Sequence, residues 1–218
     1  MNACYRLAAF VLVAAGPLSA DTIYQTNAQG KQVIIQRNAI VVKQDPSFLV
    51  YKHFDLRDRR VAKVTLSQGS LPYSVDTSNA SGRQQIVEMW KHFGYKATLK
   101  DSSGKTTALF DVFFDFYPPG GRGSLLESVP PRTSLPILMD GGAADELEFS
   151  KITSVDIQGA HLKITLRNGQ VESGQFLMPT DKPAEVRLLG ISDHYDPSSN
   201  EVFDFSTPMN QLTEIQFE

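Results

Sequence analysis

The residues best suited to chemistry are oxygen-bearing side chains that cluster between positions 193 and 201. Asp193, Asp196, Asn200 and Glu201 lie there around an Asp-Pro-Ser-Ser-Asn run, which is typical of a turn between strands. Calcium prefers oxygen ligands that converge in a loop, although the spacing differs from that of an EF-hand and the central glycine is missing. Calcium, bound by these four residues, is therefore the only cofactor that we predict. The alternative is that the segment is an ordinary turn that binds no metal.

A second set of candidates lies in the aromatic stretch 109–117 and the glycine-rich segment after it. In an extended strand, Asp111, Phe113, Asp115 and Tyr117 share one face because successive side chains point to opposite sides. Paired carboxylates suit glycoside hydrolysis, and the glycine amides around Arg122 could form an anion-binding nest. We predict a binding site at these five residues. The alternatives are an outward strand face and a flexible loop.

Other catalytic signatures are missing from the sequence. The four histidines, His53, His92, His161 and His194, are not spaced as metal ligands, and no nucleophile elbow or phosphate loop occurs. Lysine and arginine are dispersed in a chain of net charge -3, which argues against a nucleic-acid partner. The sequence therefore favours binding over catalysis.

Residues 1–20 have the pattern of a secretory signal peptide. Arg6 precedes the apolar run 7–15, Gly16-Pro17 interrupts it, and Ala20 is a small residue at the expected cleavage position. The pattern predicts an exported, periplasmic or secreted chain with no transmembrane segment after cleavage; the alternative is a buried N-terminal helix. The only cysteine, Cys4, would be removed, so the mature chain would contain no thiol or disulfide.

A short phrase recurs along the chain and indicates an internal repeat. Lys-x-Thr-Leu followed by a glycine turn begins at Lys63, Lys96 and Lys163, and a second recurrence relates 147–157 to 203–217. Strands of alternating character that end in glycine turns are typical of hairpins. We therefore predict that 96–157 and 163–217 are two copies of one module.

These patterns predict a mainly β fold with two related small antiparallel β modules, each a barrel or half-sandwich, and one amphipathic helix. The predicted division is a signal peptide at 1–20, a first module at 21–157 and a second module at 158–218. The first module includes the helix 82–93, which Ser81 would cap, and the Pro/Gly loop 118–134. The aromatic strand is then either central between packed layers or an edge whose second face contacts a partner.

The resulting hypothesis is an exported, non-catalytic binding or scaffolding protein of the bacterial cell envelope. Its partner would be an envelope protein or polysaccharide, contacted through sheet edges and the aromatic strand. The alternative is an exported hydrolase or carbohydrate-binding protein that uses Asp111 and Asp115 near the aromatic rings.

Overall fold

The computed structural model describes residues 20–69, 72–119, 131–178 and 184–218. These ranges exclude most of the Pro/Gly loop, including Arg122. They also exclude the predicted signal peptide up to residue 19, so export of the chain remains a prediction. The chain is 58% strand and 9% helical, which confirms the mainly β fold. Within the described ranges, no helix has both the length and the apolar character needed to span a bilayer.

The described chain forms fifteen strands, one α-helix and two 3₁₀ turns. Their bounds are β1 Asp21–Thr26, β2 Gln32–Gln44, β3 Phe48–Asp55, β4 Arg60–Ser67, β5 Tyr73–Asp76, α1 Ala80–Trp90, β6 Lys96–Asp101, β7 Thr106–Tyr117, β8 Ser134–Met139, β9 Ala144–Glu148, the first 3₁₀ turn Phe149–Lys151, β10 Ile152–Gln158, β11 His161–Leu166, β12 Val171–Phe176, β13 Glu185–Ile191, β14 Phe205–Pro208, the second 3₁₀ turn Met209–Gln211 and β15 Leu212–Phe217.

Strands β1 to β5 form a small antiparallel sheet in the order β4-β3-β2-β1-β5. The first half of β2 pairs with β1 and its second half pairs with β3. Between the halves, Asn38 has a φ of 53°, in the left-handed region that asparagine tolerates better than most residues. The bend lets β2, β3 and β4 curve into a half-barrel around Leu49 and Tyr51.

Strands β6 to β15 form a large antiparallel sheet in the order β14-β13-β7-β6-β15-β10-β11-β12-β8-β9. Read from one end, the sheet begins β14-β13-β7-β6-β15; read from the other end, it begins β9-β8-β12-β11-β10. The two halves match strand by strand, with β14 equivalent to β9 and β15 equivalent to β10. The repeats are therefore β6–β10 and β11–β15, each with two hairpins, a 3₁₀ turn and a last strand. The first hairpin of each repeat is inserted among the strands of the other. This arrangement confirms two related modules and adds an exchange of hairpins between them.

The exchange bears directly on the predicted boundary at 157/158. That boundary falls between the last two residues of β10, which pairs with β11 near the middle of the large sheet. In the sheet, strands of each repeat lie on both sides of the β10–β11 pairing, although the boundary separates the two repeats in sequence. The domain division itself remains a prediction.

The structure aligns the repeats differently from the Lys-x-Thr-Leu phrase. In the two equivalent turns, Gly104 N donates to Asp101 O (3.0 Å) and Gly169 N donates to Leu166 O (2.9 Å). Asp101 thus corresponds to Leu166, two residues from the match that the phrase implies. A shift of two residues leaves every side chain on the same face of its strand. The phrase therefore reproduces the alternation of side chains in the two repeats, but it does not align the equivalent residues. The copy at Lys63 lies on β4, in the small sheet.

Helix α1 begins and ends earlier than the predicted span 82–93. Its N-cap is Asn79, whose side chain accepts a hydrogen bond from Gly82 N at 2.9 Å, and Ser81 lies within the first turn. Asparagine is among the strongest N-cap residues. The prediction of Ser81 as the cap was therefore wrong by two positions.

The apolar face of α1 joins the two sheets. Ile86, Val87 and Trp90 are buried, as their helical spacing predicts, whereas Phe93 lies beyond the helix end and is 40% exposed. The buried face packs against the small sheet, the large sheet and the loop after β13 in one apolar cluster. This cluster includes Ile40, Val61, Phe110, Ile191 and Tyr195.

Candidate functional site

The aromatic strand β7 is a central strand, in agreement with the first of the two predicted alternatives. It pairs with β6 on one side and with β13 on the other. Phe113 is 2% exposed, and its ring packs against Phe203 at 5.9 Å between centroids and beneath the Arg60 guanidinium at 4.0 Å. A partner has no access to Phe113 in this conformation.

Asp111 connects the large sheet to the small one. It has a φ of 50° at a register shift between β7 and β13, so its side chain leaves the regular strand pattern. Its Oδ2 accepts a hydrogen bond from Val61 N on β4 at 3.0 Å. Gly94 permits the close approach, because a Cβ there would lie 3.0 Å from the Asp111 Cα.

The charges around Asp111 are desolvated. Burial raises the pKa of Asp111 to about 6, an effect that the Val61 hydrogen bond and the Arg60 guanidinium partly offset. Burial lowers the pKa of Arg60, and the nearby carboxylates of Asp111 and Asp115 oppose that shift. Among the described residues, Arg60 Nη1 and Asp111 Oδ1 are buried without a hydrogen bond. Arg60 and Asp111 are therefore charged groups in the interior of the protein.

The other predicted members of this site lie along the same strand or outside the described residues. Asp115 is 7% exposed, and its Oδ1 accepts a hydrogen bond from Phe116 N at 2.7 Å. Tyr117 is half-buried, with the Arg187 guanidinium 5.7 Å from its ring, and burial raises its pKa. The structure therefore brings Asp111, Phe113 and Asp115 together around Arg60, in the interior.

The loop between β13 and β14 surrounds a buried ammonium group. Lys52 on β3 is 0% exposed, and its Nζ donates to Tyr195 Oη (2.7 Å), Ser199 O (2.8 Å) and Glu201 O (3.1 Å). Tyr195 Oη also donates to Glu201 O at 2.8 Å. Burial lowers the pKa of Lys52 to about 8. The cation at the centre of this loop is thus a lysine from the small sheet.

The predicted calcium ligands make separate contacts around that loop. Asp193 Oδ1 lies 3.3 Å from Lys91 Nζ, Asp196 Oδ1 accepts from Ser198 N at 2.8 Å, Asn200 O accepts from Lys63 Nζ at 3.2 Å, and Glu201 uses its backbone oxygen. In the ranges that the structure covers, no three His, Cys, Asp or Glu side chains converge as a metal group. Calcium remains a prediction without support from this geometry.

A free sheet edge is the feature that the sequence did not reveal. Residues 32–36 of β2 pair with β1, whereas β3 pairs only with 40–44, so the other edge of 32–36 lacks a strand partner among the described residues. Val33, Ile34 and Ile35 are 44%, 39% and 41% exposed on this segment. The run Gln-Val-Ile-Ile-Gln predicts a strand, but three consecutive apolar residues do not tell which face is covered.

These residues form a continuous apolar strip, whereas the other large apolar side chains described as exposed are isolated along the chain: Leu56, Phe93, Leu138 and Val171. An unpaired edge presents backbone donors and acceptors together with side chains on both faces. The segment 32–36 is therefore the best candidate for a contact surface. Comparison with known protein families, with curated proteins and with solved structures gives no match to this chain.

Proposed function

We propose that this chain is an exported, non-catalytic binding protein of the cell envelope, which pairs the free edge of β2 with an extended segment of a partner protein. The observation that carries the proposal is the coincidence of an unpaired edge with three exposed apolar residues at 33–35. The signal-peptide pattern at 1–20 supports the envelope location.

The free edge supplies both parts of strand-addition binding. The backbone groups of 32–36 that point away from β1 are available for a new ladder, which provides affinity. Val33 and Ile35 project from one face and Ile34 from the other, which provides selectivity for alternating side chains. Covering the exposed part of each side chain would contribute on the order of 1 kcal/mol.

Charge determines which kind of strand fits. Lys31 and Arg37 are exposed at the two ends of the apolar strip. A second copy of the chain, paired antiparallel about Ile34, would place Lys31 opposite Arg37, and like charges directly opposite are destabilising. The fitting occupant is instead a segment of another protein with apolar β-branched residues in its centre and acidic residues at both ends.

A designed peptide tests this proposal directly. The probe alternates valine and threonine between glutamates, and its binding is followed through the backbone amide signals of the protein. We expect signals of 32–37 to shift and their hydrogen exchange to slow. Ile34→Lys should abolish the effect because it removes the central apolar contact. The matched control is Leu138→Lys, since Leu138 is 41% exposed on β8, which pairs with strands on both sides.

Two results would refute the proposal. One is an absence of shifts at 32–37 when peptide is in excess. The other is an equal loss of binding in the Ile34 and Leu138 variants, which would show that exposed apolar area matters and the edge does not.

The alternative of an exported hydrolase or carbohydrate-binding protein gains no support from the site. Its two carboxylates, Asp111 and Asp115, are 1% and 7% exposed. A sugar ring has no route to them in this conformation, so neither residue can act as acid, base or nucleophile without opening of the interior.

A further inference from the structure

A second surface, which has no residue in common with the free edge of β2, concentrates positive charge. A cavity of about 410 Å³ lies where the β3–β4 turn, the end of α1 and the large sheet meet. Its lining includes Arg59, Lys91, Lys96 and Arg167, and Glu218 is the one acidic residue among the described residues that line it. Four cations thus converge in a protein whose net charge is -3.

Three of these cations lack a short ion pair with any described residue. Lys91 is paired, because its Nζ lies 3.0 Å from Glu88 Oε1 and 3.3 Å from Asp193 Oδ1. Within the described residues, Arg59, Lys96 and Arg167 form no ion pair within 4.0 Å. The positive charge of the cavity therefore comes from these three groups, and the Glu218 carboxylate in the same lining offsets part of it.

Arg167 is oriented by the backbone around it. Its Nε donates to Ser150 O at 3.0 Å and its Nη2 donates to Glu218 O at 2.8 Å. These two bonds hold the guanidinium plane at the cavity and leave Nη1 for another acceptor. A guanidinium held in this way is suited to an oxyanion, which it meets with its fixed donor fork.

Arg59 occupies a strained backbone position at the same cavity. Its φ of 54° lies in the left-handed region, which an arginine rarely adopts. The guanidinium carbon lies 4.5 Å from the centre of the Tyr95 ring, and both residues line the cavity. The strained turn and the ring together bring a second guanidinium to the cavity, and strain of this kind is concentrated at functional sites.

We propose that this cavity binds a phosphate-type oxyanion through Arg59, Lys96 and Arg167. Clustered cations in a concave site attract a small anion, and the volume exceeds that of a single phosphate. The anion is either free phosphate or the phosphate of a lipid headgroup. This inference is independent of the free edge on β2, so either proposal can fail alone.

Calorimetric titration with inorganic phosphate in low-salt chloride buffer tests the first source. We expect saturable binding with one site, and Arg167→Gln should weaken it about tenfold or more, because one charged hydrogen-bond donor is lost. Lys96→Gln provides a second variant should Arg167→Gln fail to fold. The matched control is Lys100→Gln, an exposed lysine on β6 outside the cavity, which should change the affinity by less than about twofold.

Vesicles of phosphatidylcholine with and without phosphatidylglycerol test the second source. A lipid phosphate would be supported if the protein binds only the anionic vesicles and if Arg167→Gln, but not Lys100→Gln, weakens that binding. Binding of inorganic phosphate would support the free anion. No saturable binding of either up to about 10 mM would overturn the proposal. An equal loss in the Lys100 and Arg167 variants would also overturn it, since that result indicates general charge attraction.

Discussion

Single buried polar residues join segments that are distant in the chain. Asp111 binds the backbone of β4, and Lys52 binds the loop between β13 and β14. Asp21 is 0% exposed and accepts hydrogen bonds from Val41 N (2.7 Å) and Ser78 N (2.6 Å). Buried hydrogen bonds of this kind favour one arrangement of the surrounding elements.

The pKa of Asp111 predicts a specific pH dependence of stability. A folded-state pKa of about 6, above the usual 3.8, means that the folded protein retains a proton that the unfolded chain loses. This contribution is fully present below pH 3.8 and is lost as the pH rises through about 6. Relative to Asp111→Asn, the wild-type free energy of unfolding should fall by about 2 kcal/mol between pH 4 and pH 7.

Urea unfolding of both proteins at pH 4 and pH 7 measures this difference. Asparagine keeps an acceptor for Val61 and tolerates a positive φ, so the substitution mainly removes the titration. An identical pH dependence in the two proteins would show that Asp111 does not titrate in this range.

Tyr195→Phe should destabilise the protein by about 2 kcal/mol. The substitution removes one of the acceptors of the buried Lys52 ammonium, and hydrogen bonds to charged groups are stronger than neutral ones. Chemical denaturation gives the change in free energy of unfolding. Tyr24→Phe, at a half-buried tyrosine of β1, is the control and should change stability by less than about 0.5 kcal/mol. Equal effects of the two substitutions would contradict the role of Lys52.

At the scale of elements, two strands of the large sheet pack closely at Gly174. β12 meets β8 with Gly174 opposite Met139, and a Cβ on Gly174 would lie 2.2 Å from Leu138 O. Backbone cannot move aside as a flexible side chain can. The pairing that places β8 beside the exchanged hairpin therefore depends on the absence of a side chain at this position.

Gly174→Ala should consequently lower the free energy of unfolding by about 3 kcal/mol, because the methyl group forces the strands apart. Gly141→Ala is the matched control, since no atom lies within 4 Å of a Cβ there and its φ is not in the left-handed region. Thermal and urea unfolding of both variants measure the effect. A Gly174 variant as stable as the Gly141 variant would argue against the β12–β8 pairing.

At the scale of the whole molecule, the exchange of hairpins makes the two repeats interdependent. The hairpin β11–β12 pairs with β10 and β8, whereas β13 and β15 pair with β7 and β6. Every strand of the second repeat except β14 thus has a partner in the first. Folding of one repeat requires strands that belong to the other in sequence.

The fragment 158–218 should therefore remain unfolded by itself. Circular dichroism and amide hydrogen exchange should show little sheet and no cooperative unfolding, since β15 would have no partner and the other strands would remain as two isolated hairpins. A chain that joins 96–117 to 185–217 through a flexible linker contains five neighbouring strands and is the matched comparison, expected to form more sheet. Cooperative unfolding of 158–218 alone would contradict the exchange and support the predicted boundary at 157/158.

Local patterns in the sequence were sufficient for several elements. Alternation and aromatic content predicted an extended strand in the stretch 109–117, and the structure has this stretch within β7. The helical spacing of Ile86, Val87 and Trp90 predicted the buried face of α1, although not its cap. Such signals depend on a few neighbouring residues, which is why they can be read from the chain alone.

The candidate sites were predictable only in part, for the same physical reason. The sequence placed Asp111 and Asp115 on one strand face, and that arrangement does not tell whether solvent or Arg60 covers the face. The edge at 33–35 looked like any other apolar strand, because its exposure depends on where β3 leaves β2. Burial and pairing are properties of partners that lie far away in the chain.

By itself, the sequence determined that this protein is a β-rich chain with one amphipathic helix and an internal repeat. Only the tertiary structure decided that the repeats exchange hairpins, that Lys52 meets Tyr195 from 143 positions away, and that Arg59, Lys96 and Arg167 line one cavity. Alternation and turn residues act over a few positions. The entropic cost of closing a loop rises only slowly with the length of the loop, so many distant segments could pair at a similar cost. The packing of side chains selects among these possible partners.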